Sequence, residues 1–134
     1  MRLLRAWLAA AAVVVTGLLL DSVALMIAGR HVGSSPGVIH TVLLVHVPWT
    51  LILLTATVVA SLVHREQVPV ARHLAAVFGV PALTITASLA LGIAQGAVMG
   101  GVLSAAEAAV GAVLGWLVRR RFAQRDQGSY FPAY

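Results

Sequence analysis

Two carboxylic acids, Asp21 and Glu107, stand inside long apolar runs of this 134-residue chain. The chain has only four acidic residues, so half of them lie in such runs. A charged side chain in a hydrocarbon environment costs about 2.5–3.5 kcal/mol on insertion scales, and it therefore marks a paired or functional position. Because a nearby histidine can exchange protons near neutral pH, such a group could bind or relay a proton or a cation.

The five histidines are the other residues that could hold a metal or a cofactor. His40 and His46 differ by six positions, or about 240° around an α-helix, so they cannot ligate one ion together. Haem ligation between two helices needs a second histidine at mid-membrane depth, which no other apolar run supplies. The absence of cysteine excludes thiolate sites and disulfides. We therefore expect no metal and no cofactor, and haem remains open only through a second copy or a partner subunit.

Four apolar segments carry these residues. The chain is 60% hydrophobic and only 10% charged, whereas soluble domains contain about 25% charged residues. A bilayer core needs about 20 apolar residues in a helix. The segments that meet this length are residues 6–28, 38–62, 74–95 and 101–118. Because short links make successive helices antiparallel neighbours, the sequence predicts an all-α membrane protein, a single four-helix up-down bundle with a short basic tail at 119–134.

The arginines predict the orientation of these segments. Eight of the nine basic residues lie at the N-terminus, in the link 64–73 or in the tail, and only Arg30 lies at the other end. The positive-inside bias then puts both termini in the cytoplasm. The use of arginine without lysine suggests a bacterium, so we expect a multi-pass protein of the inner (plasma) membrane.

Three arginines directly follow the fourth segment, at positions Arg119, Arg120 and Arg121. They are placed to meet anionic lipid headgroups, at about 1 kcal/mol each. The alternative is an ordinary cytoplasmic anchor.

With this orientation, polar groups of all four segments gather at similar depths in the non-cytoplasmic half. The members of this predicted cluster are Asp21, His46, Glu107, His40, Thr84 and Ser88. We interpret the cluster as a candidate proton or cation site. The alternative is that the cluster only forms hydrogen bonds between helices, which contribute roughly 0.6 kcal/mol per bond. A second alternative concerns Asp21 alone, which can pair with Arg30 near the membrane interface.

Small residues at helical spacing form candidate packing faces, because helices in lipid associate through close backbone approach. The face on the fourth segment comprises Ser104, Glu107, Gly111 and Gly115. The face on the third segment comprises Ser88, Gly92 and Gly96. Since a short link joins these segments, we expect the two faces to pack on each other as a hairpin, with an oligomer contact as the alternative.

Three functional hypotheses follow, and the lack of a loop large enough for a soluble active site argues against an enzyme in the first two. The first is an accessory or assembly subunit of a larger membrane complex, or a homo-oligomer. The second is a proton- or cation-linked transporter or channel that uses Asp21, His46 and Glu107. The third is a membrane enzyme or a haem- or quinone-associated membrane subunit, with His40 or His46 as the key group. The net charge of +5 lies at the ends of apolar runs, so the expected partners are the lipid bilayer and other membrane subunits or a second copy, not nucleic acid.

Overall fold

Four long helices form most of the part of the protein that the structure describes. A computed structural model describes residues 2–29, 37–64 and 70–128, and within them all regular structure is helical and none is strand. The stretches that are long and apolar enough to cross a membrane are Leu3–Ala28, Val42–Val63, Val70–Ala94 and Val98–Ala123. We call them spans 1 to 4. They confirm the four predicted segments as helices that are long and apolar enough to span a membrane, which indicates a multi-pass membrane protein.

Three of the spans belong to uninterrupted α-helices, and one does not. Span 1 lies in the helix Arg2–Gly29, and span 3 is the helix Val70–Ala94. Span 2 follows a short helix, Val38–Thr41, and consists of a π-helical turn, Val42–His46, and an α-helix, Val47–Val63.

Span 4 lies in the longest helix, Val98–Gly128. This helix begins before the predicted boundary at 101 and continues past the predicted end at 118. The first part of the predicted tail is therefore helical, because arginine, alanine and glutamine favour a helix and no proline interrupts them. Residues 129–134 of the predicted tail lie outside the described residues.

Spans 1, 2 and 3 meet through small residues. Ala10 of span 1 packs against Ala56 and Ala60 of span 2, and all three are fully buried. The indole Nε1 of Trp7 donates a hydrogen bond of 3.1 Å to the carbonyl of Ala75 at the start of span 3. Alanine suits this core because lipid tails are as apolar as the side chains, so close approach rather than burial of large residues stabilises the contact.

A tight hairpin joins spans 3 and 4. Gly96 adopts a left-handed backbone conformation in the turn, with φ of 70°, which glycine tolerates without steric cost. Just before and after the turn, Gly92 and Gly101 touch backbone to backbone, since a Cβ atom on Gly92 would lie 2.7 Å from Gly101 Cα. The hairpin contact therefore uses Gly92 and Gly101.

Gly111 and Gly115 of span 4 pack on span 2, so the predicted packing of these two glycines on span 3 is wrong, whereas Ser104 of the same predicted face lines a groove at the hairpin with Ser88 and Gly92. Gly111 lies against the carbonyl of Thr50, and Gly115 lies against the carbonyl of Leu54. The reason is the rotation of the helix, because Gly101 already faces span 3 and Gly111 is turned from it by about 80°. The two contacts advance together along both chains, so spans 2 and 4 run parallel.

Candidate functional site

The structure brings one histidine and one carboxylate together between spans 2 and 4. His46 Nδ1 lies 2.6 Å from Glu107 Oε1. The side chains are 28% and 15% exposed, respectively, in the isolated chain. The contact follows the register of the parallel spans, because His46 precedes Thr50 as Glu107 precedes Gly111, by four positions in each case. The glycine contacts thus set the depth at which the two side chains meet.

The π turn shapes the backbone that carries His46. His46 is the last residue of this turn, and the N–H of Val47 donates to the carbonyl of Val42, five residues earlier. Pro48 follows immediately, and a proline has no N–H and its ring clashes with the carbonyl four residues before it. A wider turn directly before the proline accommodates this clash, and such π turns frequently occur at functional sites.

Two hydrogen bonds hold the helix beside His46. The Thr50 hydroxyl donates to the His46 carbonyl at 3.0 Å, which compensates for the irregular backbone bonding around Pro48. The indole Nε1 of Trp49 donates across the interface to the carbonyl of Ser104 at 3.0 Å. Since Ser104 lies one turn before Glu107 on span 4, the indole fixes the height of the carboxylate relative to His46.

The Nδ1 atom of His46 is buried and makes no well-aligned hydrogen bond to any described residue. A recess of about 220 Å³ lies beside it, lined by His46, Val47, Thr50 and Leu51. Of the pair, only His46 lines this recess.

The pair can hold and release a proton. With one proton, it has no net charge, either as neutral histidine and carboxylic acid or as imidazolium and carboxylate. A second proton makes the pair cationic, and loss of the first makes it anionic. A single cation bound at the carboxylate would substitute for that proton. The arrangement is therefore suited to exchange of a proton or a small cation within the membrane.

Asp21 lies on the far side of span 2 from Glu107. Gly17 contacts Ile52, and one turn further along span 1 Asp21 comes level with Pro48, close in depth to His46. Within the described residues, however, Asp21 forms no ion pair, and no three histidine or acidic residues lie close enough to hold a metal ion. The structure thus brings His46 to Glu107 and leaves Asp21 apart from both.

The other residues of the predicted cluster occupy different surroundings. His40 lies in the helix Val38–Thr41, and its side chain is outside the described part of the protein. The Thr84 hydroxyl donates to the carbonyl of Val80 in its own helix, at 2.9 Å. Ser88 lines a groove at the hairpin of spans 3 and 4, together with Gly92 and Ser104. Span 3 therefore contributes its polar groups to its own backbone and to the hairpin.

Sequence reasoning missed the roles of Trp49 and of the π turn. The signal for the turn is Pro48, two positions after a histidine in an apolar helix. No local signal identifies Trp49 as the donor to Ser104, because the bond joins residues that are 55 positions apart.

Comparison with known proteins adds no relative. No protein-family model, no curated protein and no solved structure matches the chain significantly.

Proposed function

We propose that this chain is a proton- or cation-linked membrane protein in which the His46–Glu107 pair binds the transported proton or cation. The observation that carries the proposal is the 2.6 Å contact between His46 Nδ1 and Glu107 Oε1 on two different spans. Ionisable residues at membrane depth are expensive and mark ion or proton pathways by default. The adjacent π turn and the recess beside His46 support a site that a ligand enters.

The proposed setting is the inner membrane of a bacterium, with both termini in the cytoplasm. This orientation is supported by the arginines, because eight of the nine flank the apolar segments on the same predicted side of the membrane. In this orientation span 2 runs inward, so the pair lies in the non-cytoplasmic half of the membrane. A proton would then reach the pair from outside, beside His46.

The test is ion flux into liposomes that contain the purified chain. A pH-sensitive dye reports proton entry under a potassium diffusion potential, and a cation-selective dye reports the alternative substrate. We expect Glu107→Gln to reduce flux at least about ten-fold, because it removes the charge-assisted contact that binds the proton. Asp21→Asn is the matched control, since it neutralises an acid at similar depth without touching the pair, and we expect a smaller effect.

Unchanged flux in Glu107→Gln would contradict the proposal. An equal loss in Asp21→Asn and Glu107→Gln would also contradict it, because the effect would then come from intramembrane charge in general and not from the pair. Replacement of His46 by glutamine gives an independent check, with a loss similar to that of Glu107→Gln.

A second candidate function is an accessory or assembly subunit of a larger membrane complex, or a homo-oligomer. The helix Val98–Gly128 has 31 residues, or about 46 Å at about 1.5 Å per residue, against a bilayer core of about 30 Å. Its basic end therefore extends beyond the core, where a partner can bind. Native mass spectrometry after gentle extraction from the source membrane distinguishes the two, because a subunit comes out with other polypeptides in a fixed ratio.

A further inference from the structure

A second cleft lies at the opposite end of the bundle from the His46–Glu107 pair. Ser61, on span 2, marks its position, 15 residues or about 22 Å further along the helix than His46. The cleft encloses about 320 Å³ between the ends of spans 2, 3 and 4. Its lining residues are Ser61, Val70, His73, Leu74, Trp116, Arg119 and Arg120.

The charged groups that line this cleft are both positive. Arg119 and Arg120 come from the same turn of span 4, and no carboxylate is among the described residues that line the cleft. The Arg120 guanidinium lies 5.4 Å from the centroid of the Trp116 ring, a cation–π distance that holds the guanidinium at the cleft. A guanidinium has five N–H donors in a planar fork, which suits phosphate oxygens.

Two histidines add unsatisfied polar atoms at the same place. The rings of His64 and His73 meet edge to face, with centroids 5.8 Å apart. In both residues Nδ1 is buried and has no hydrogen-bond partner among the described residues, and His64 as a whole is only 4% exposed. A buried polar atom without a partner is unfavourable, so a bound group with hydrogen-bonding oxygens would stabilise these histidines. Two neighbouring guanidinium groups favour an anion over a metal cation at these imidazoles.

We propose that this cleft binds the phosphate of an anionic glycerophospholipid. Arg119, Arg120 and His73 would bind the phosphate oxygens. The apolar part of the lining, Val70 and Leu74, would contact the glycerol backbone and the start of the acyl chains. The cleft lies where span 2 ends and span 3 begins, which is the level of the headgroups, and this position favours a lipid over a free phosphate. The inference does not depend on the function proposed for the His46–Glu107 pair.

Two of the three successive arginines line the cleft, and the third does not. Arg121 is exposed but does not line the cleft, although the sequence predicts lipid contact for Arg119, Arg120 and Arg121 alike. Arg121→Gln is therefore a control with the same change of charge, one residue away.

Native mass spectrometry of the purified full chain in a neutral detergent tests the site, with phosphatidylglycerol as the probe and phosphatidylcholine as the neutral comparison. We expect one tightly held phosphatidylglycerol per chain. Arg119→Gln and Arg120→Gln should each weaken it by about ten-fold or more, because each removes hydrogen bonds to a charged group. His73→Gln should weaken it by a smaller factor, and Arg121→Gln by less than about two-fold, as for an ordinary surface change.

Equal losses in Arg120→Gln and Arg121→Gln would overturn the proposal, since binding would then follow net charge alone. Equal affinity for phosphatidylcholine would overturn it as well. Displacement of the lipid by millimolar inorganic phosphate would assign the cleft to a free anion instead of a lipid.

Discussion

Gly111→Ala provides a direct test of the contact between spans 2 and 4. An added Cβ atom would lie 2.5 Å from the Thr50 carbonyl oxygen and 3.1 Å from Leu53 Cβ. A carbon and a carbonyl oxygen in favourable contact are about 3.3–3.6 Å apart, so the two helices must separate by nearly 1 Å. The obstacle is a backbone atom, which cannot rotate away as a side chain can. Overpacking of this kind costs about 1–3 kcal/mol.

The higher helix preference of alanine stabilises the variant and so opposes the loss of stability from the steric overlap. A control variant must therefore account for it. Alanine is more favourable than glycine in a helix by about 1 kcal/mol. Gly100→Ala is the matched control, because Gly100 lies in the same helix and nothing is within 4 Å of the added Cβ atom. Because Gly100 lies in the first turn and Gly111 in the helix interior, the helix preference cancels only in part, and we expect Gly111→Ala to be less stable than Gly100→Ala by about 1–2 kcal/mol.

The assay is reversible unfolding by sodium dodecyl sulfate in mixed micelles, followed by circular dichroism and tryptophan fluorescence. Trp49 donates its hydrogen bond across this interface, so its contribution to the emission of the three tryptophans changes when spans 2 and 4 separate. Equal stability of Gly111→Ala and Gly100→Ala would refute the close contact at Thr50. It would also weaken the placement of His46 beside Glu107, because the same register sets both.

Two further predictions concern the pair and the orientation. His46→Leu and Glu107→Leu should each destabilise the protein by about 1–3 kcal/mol, because each leaves a half-buried polar partner unsatisfied. The double variant should be more stable than the sum of the two single losses implies. Strictly additive losses in the same unfolding assay would argue against the contact. Because the chain has no cysteine, the single variants Gly100→Cys and Ala123→Cys report the accessibility of the two ends of span 4. In intact spheroplasts, an impermeant maleimide should label only Gly100→Cys, because the positive-inside bias puts the other end in the cytoplasm. Labelling of Ala123→Cys alone would contradict cytoplasmic termini.

The sequence was sufficient to predict the four spans and the similar depth of His46 and Glu107. Both results depend on composition along the chain, since about 20 apolar residues in a row have no stable alternative to a helix in lipid. The depth of His46 and Glu107 follows from counting residues from the span ends. The start and end of each helix could not be predicted, because the helix-forming residues after 118 continue the helix of span 4 past the change from apolar to charged residues.

Composition determined by itself that this is a membrane protein of four helices, because hydropathy acts on each segment separately. Only the tertiary structure decided which faces of those helices meet. The hairpin at Gly96 orients Gly101 toward span 3 and thereby turns Gly111 and Glu107 toward span 2. A rotation of about 100° per residue separates neighbouring faces, so a pattern of small residues shows that a face packs but not on which helix. For that reason His46 meets Glu107, and Asp21 at a similar depth meets neither.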